Sequence, residues 1–99
     1  MRHILWSNEA RDDYFSILRH IAGDNPDAAE RVARAIEKTG NTLSDFATGH
    51  PGRVAGSYEK SVPRLPYIIA YALSEDGAVL TILRVVHTSR DWPSGEWPE

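Results

Sequence analysis

Ninety-nine residues, 41% of them hydrophobic and 25% charged, suffice for one small core and no more. A formal net charge of −3 gives no footprint for strong nucleic-acid binding, although Arg53, Lys60, Arg64, Arg84 and Arg90 gather in the second half. The absence of cysteine excludes disulfides and thiolate metal sites, so packing alone must hold the chain.

Residues 2–6 read as a short strand ending at Trp6. Ser7 then offers a helix N-cap, and Ala10, Tyr14, Ile17, Leu18 and Ile21 recur at helical spacing, with Arg11, Asp12, Asp13, Arg19 and His20 off that stripe. Gly23 ends the first helix. Asn25 and Pro26 restart the chain as an N-cap and a first-turn proline, and Asp27 suits the positive end of the helix dipole. Ala29, Val32, Ala33, Ile36, Leu43 and Phe46 form the second stripe, interrupted by Gly40, which weakens a helix interior by roughly 1 kcal/mol. The short connection predicts an antiparallel helical hairpin over about residues 8–47.

Gly49-His50-Pro51-Gly52 is a turn cluster, after which the pattern changes. Val54 to Val62 reads as one or two exposed strands, and Pro63 and Pro66 bracket a kink. Tyr67 to Leu73 and Val79 to His87 are apolar, β-branched and aromatic runs joined across Asp76-Gly77, a strong hairpin signal. A two-residue turn there would set Glu75 opposite Ala78. Tyr67, Ile69, Tyr71, Leu80, Ile82, Arg84 and Val86 would then share one face, and Ile68, Ala70, Ala72, Val79, Leu83, Val85 and His87 the other. Both faces are largely apolar, and the helical hairpin can cover only one, so a partner is expected on the rest. The tail from Thr88 reads as irregular. One domain over 1–99 is expected, of α+β class, with the helical hairpin packed on an antiparallel sheet. No apolar run approaches the ~20 residues of a membrane span, and the opening apolar run is too short for a signal peptide. A cytoplasmic protein without metal or cofactor is expected.

Several blocks in order resemble the ParE toxins of the ParE/RelE superfamily. They are Trp6-Ser7-x-x-Ala10, then Ile21-Ala22-x-Asp24-Asn25-Pro26-x-Ala28-Ala29-x-Arg31-Val32, then Gly52-Arg53-Val54-x-Gly56. Val62-Pro63-x-x-Pro66-Tyr67-Ile68-Ile69-x-Tyr71 follows, and Ile82-Leu83-Arg84-Val85-x-His87-x-x-Arg90-Asp91-Trp92-Pro93 completes the series. The resemblance spans residues 6 to 93. It implies a helical hairpin on an antiparallel sheet, a ParD-like antitoxin whose C-terminal segment wraps the toxin, and DNA gyrase as the poisoned target. The chain departs from the family at Tyr71-Ala72-Leu73, where Tyr-Arg-Val is common, and in the tail after Pro93.

Candidate contact residues for antitoxin or target are Arg53, Arg64, Arg84, Arg90 and Trp92. Arg84 interrupts an apolar strand, which points either to a contact or to a structural ion pair. Arg90-Asp91-Trp92 is either an interaction motif or a tether for the tail. The alternative activity is RelE-type ribosome-dependent cleavage of mRNA, which requires a base, an acid and cations for the phosphate. Only Lys60, Arg64, Arg84 and His87, with Glu59 as base, are available for it. Unbroken alternation separates Arg84 from His87, and only a β-bulge would reunite them. A further alternative is an antitoxin-binding module without toxicity.

Overall fold

The computed structural model describes residues 2–47, 49–52 and 55–88. Strand β1 (His3–Trp6) leads into helices α1 (Asn8–Ala22) and α2 (Pro26–Thr42). Strands β2 (His50–Pro51), β3 (Tyr58–Ser61), β4 (Tyr67–Leu73) and β5 (Val79–His87) follow. Both helix starts form as their sequences dictate. Ser7 Oγ accepts the Ala10 N–H at 3.0 Å, and Asn25 Oδ1 accepts the Ala28 N–H at 3.1 Å ahead of Pro26.

The sheet order is β1-β5-β4-β3-β2. Pairing is antiparallel from β2 through β5, as expected, but β1 lies parallel to β5, from His3↔Val79 to Trp6↔Ile82, so the sheet is mixed. The two helices form the crossover that lets the first strand run beside the last in the same direction. His50-Pro51, expected only as turn, also contributes a two-residue strand, with His50 opposite Glu59.

The β4–β5 register matches expectation from Leu73↔Leu80 to Tyr71↔Ile82 and then slips by one residue at Leu83. The turn is wider than two residues: Gly77 donates to Ser74 C=O at 2.9 Å, and Ser74 N–H donates to Val79 C=O at 2.9 Å. Asp76 Oδ1 accepts the Ser74 hydroxyl at 2.7 Å and the Ala78 N–H at 3.0 Å, and Gly77 takes φ +72°, so Glu75 does not pair with Ala78. The slip changes which side chains share a face. Beyond it Ala70 faces Arg84, Ile69 faces Val85 and Tyr67 faces His87. Val85 thus joins Tyr67, Ile69, Tyr71, Leu80 and Ile82 in the core, and Arg84 and Val86 leave the face that unbroken alternation gives them.

Ile36 and Leu43 from the helical half meet Val62, Ile69, Tyr71, Leu80 and Ile82 from the sheet, all fully buried. Each such side chain contributes roughly 1.5–3 kcal/mol. Phe46, read as part of the α2 stripe, is 72% exposed, because α2 ends at Thr42 and the turn from Leu43 carries Phe46 off the buried face. On α1 only Ala10 is fully buried; Tyr14, Ile17, Leu18 and Ile21 pack on the core but stay half-buried. The opposite sheet face is not bare, since Ala70 and Val86 are buried.

Candidate functional site

The seam between α1 and β5 gathers the most chemistry. Where β1 ends, Ser7 N–H donates to Ile82 C=O at 2.9 Å and Ser7 Oγ donates to Leu83 C=O at 2.8 Å. Two successive carbonyls can turn to one side only because the strand bulges there. Past the bulge, Asp13 takes over. Its Oδ2 accepts Arg84 Nε–H at 2.7 Å and the Val85 N–H at 3.0 Å, and its Oδ1 accepts from Arg84 Nη2 at 3.0 Å. This bidentate bond holds the Arg84 guanidinium further above its ordinary range, against the opposing effect of burial.

Arg84 and His87 both line a depression of about 190 Å³ beside Asp13 and Ser16. The bulge precedes Arg84, so the two still alternate along the strand, and what they share is the lining of this depression. The His87 ring stands edge-on to Tyr67, with centroids 5.4 Å apart. Arg64 does not line this depression. It sits on the turn between β3 and β4, exposed, at φ +66°. Glu59, the candidate base, is 4% exposed. Arg53, Arg90 and Trp92 lie outside the described residues.

Asp13 escapes the sequence reading, although it stands three residues after Ala10 and four before Ile17, on the border of the buried stripe. Arg31 escapes it too. It lines a trough of about 360 Å³ where α2 passes the β3–β4 turn, together with Val32, Ala35, Pro63, Arg64 and Leu65.

A third depression, about 420 Å³, is aromatic. Trp6, Tyr14 and Phe15 stand edge-on in series, with centroids 5.6 and 5.3 Å apart. The Tyr14 hydroxyl donates to Glu37 at 2.6 Å. Its pKa is pushed up to about 12, first by burial and then by the Glu37 hydrogen bond and charge. Among the described residues no three His, Asp or Glu side chains are placed to hold a metal ion, and no helix is long and apolar enough to cross a membrane.

Comparison with known proteins gives one consistent family. The model described as "ParE toxin of type II toxin-antitoxin system, parDE" matches residues 4–92. A Sinorhizobium fredii (strain NBRC 101917 / NGR234) protein, "Putative toxin Y4kP", is 34% identical over 93 residues, covering 93% of this chain and 94% of its own. A chain of the chromosomal ParDE system of P. aeruginosa superposes with a TM-score of 0.81 at 22% identity, covering 90% of this chain and 98% of that one. Isolated E. coli RelE superposes at 0.61 with 13% identity, covering 92% and 88%. At identities this low, these superpositions show a common fold and nothing more.

Proposed function

Because the chain belongs to the ParE toxin family of type II toxin–antitoxin systems, we propose that it acts by binding DNA gyrase, without catalysis of its own, and that a ParD-like antitoxin neutralises it. The observation that carries this reading is the dispersal of the groups that RNA cleavage would need. The charge of Arg84 is committed to Asp13, Arg64 stands on a separate turn, and Glu59 is buried. A phosphoryl transition state needs cations aimed at its oxygens and a base within reach of the attacking hydroxyl. A binder needs only surface, and the half-buried α1 stripe with exposed Phe15 supplies it. The proposed contact residues are Arg53, Arg64, Arg84, Arg90 and Trp92. Action on gyrase puts the protein in the bacterial cytoplasm, and this reading requires no metal or cofactor.

One observation favours the RelE-type alternative: Arg84, His87 and Ser16 share a depression. Two assays with the purified chain separate the readings. Inhibition of supercoiling or accumulation of gyrase–DNA cleavage complexes is expected, with intact mRNA in a ribosomal translation reaction. Codon-dependent mRNA cuts that disappear in His87→Ala, with gyrase unaffected, would reverse the assignment.

A further inference from the structure

The turn joining β3 to β4 is built in a way its own stability does not call for. Leu65 N–H donates to Val62 C=O at 3.2 Å, and Pro63 fills the second position, the pattern of a type II turn. The third position of such a turn demands a positive φ, which glycine meets without strain. The chain places Arg64 there, at φ +66°, the one non-glycine residue with positive φ among the described residues. No hydrogen bond or ion pair to the Arg64 guanidinium offsets that strain among the described residues.

What the turn does achieve is a position. Arg64 is exposed at one side of the trough, and Arg31, likewise exposed and without a partner among the described residues, projects from α2 at the other. Val32 and Ala35, with Pro63 and Leu65, make the lining between them apolar, and no carboxylate lines it. In a chain of net charge −3, two unmatched guanidinium groups flanking an apolar trough mark a place for an anionic, aliphatic ligand.

We propose that this trough docks a short segment of the neutralising antitoxin in which aliphatic side chains enter between Arg31 and Arg64 while neighbouring carboxylates meet the two guanidiniums. The inference rests on the reading of the chain as a toxin held by a protein partner, and it identifies which face that partner grips and with what chemistry. Apolar burial supplies the affinity, and the two arginines set orientation and choice of sequence.

The test uses the full chain, labelled with ¹⁵N, and three synthetic peptides of equal length. One alternates leucine with glutamate, one replaces each glutamate by lysine, and one replaces each leucine by serine. The leucine–glutamate peptide is expected to shift the amides of Val32, Ala35 and Leu65, and the other two to leave them in place. Arg31→Glu and Arg64→Gly should each weaken that peptide about ten-fold, the loss of one charge-assisted contact. Arg64→Gly relieves the backbone at φ +66°, so it folds at least as well as the parent, and its loss of binding cannot be laid to unfolding. Shifts confined to the Trp6–Tyr14 depression, an affinity unchanged from the parent in both variants, or no shift at millimolar peptide would each overturn the proposal. Peptide binding is read without gyrase or ribosome, so failure here leaves the functional assays standing, and their failure leaves this one standing.

Discussion

Asp13 joins a helix to a strand just beyond the point where that strand loses its neighbour. β1 last pairs at Trp6↔Ile82, and three residues later the Val85 N–H is taken by a side chain instead of a strand. The same carboxylate grips Arg84, and the two side chains are only 17% and 16% exposed. Removing either partner strands the other's charge in a poorly solvated seam. Asp13→Ala is therefore expected to cost about 2–4 kcal/mol, and the Asp13→Ala, Arg84→Met double variant less than the sum of the two singles. Urea unfolding of the four proteins closes the cycle. Additive losses would mean that the two charges act independently. The sequence left Arg84 open between a contact and an ion pair; the structure shows a pair with Asp13, which could not be read from spacing because spacing along a chain does not say which of fourteen acidic residues lies opposite.

At the level of elements, what was legible was what is written locally. Ser7, Asn25 and Pro26 mark both helix starts, Gly23 ends α1, and the apolar runs of β4 and β5 meet as a hairpin. The bulge at Leu83 was not legible, since the residue that bonds to it, Ser7, lies 76 positions away. Gly40 is a case where local propensity pointed to a fault and packing supplies the reason. A Cβ there would stand 3.3 Å from Ile82 Cδ1 and 3.7 Å from Trp6 Cζ2, so the glycine lets α2 lie close on the sheet. Alanine gains roughly 1 kcal/mol of helix propensity and loses a comparable amount to that contact. Gly40→Ala is thus expected within about 1 kcal/mol of the parent, whereas Gly40→Val, bulkier and β-branched, should lose about 2 kcal/mol or more. Thermal melts of both variants measure this, and a valine as stable as the parent would show that the helix has room to retreat.

Across the whole molecule, the helical hairpin and the antiparallel half of the sheet could be anticipated, while the parallel pairing of β1 could not. Four residues beside a strand some 76 positions away leave no periodicity to read, only two apolar segments that fit. His50-Pro51 was hidden for the opposite reason, a strand so short that its turn residues dominate its composition. The place of β1 has a consequence in time. Arg2 N–H reaches Ser44 C=O at 2.8 Å within the helical half, but His3 and Ser7 donate to the carbonyls of Ala78 and Ile82, so the strand pairing of β1 cannot form until β5 exists. A chain cut after Gly77 should show helical signal at most and no cooperative melt by circular dichroism; a cooperative transition near that of the full chain would contradict this. During synthesis, which proceeds from the N-terminus, the first strand must therefore wait for the last, and such distant pairings form slowly. Until β5 has emerged and β1 has docked on it, the β5 edge that receives His3–Trp6 stays open, so the parallel half of the sheet is the last to close.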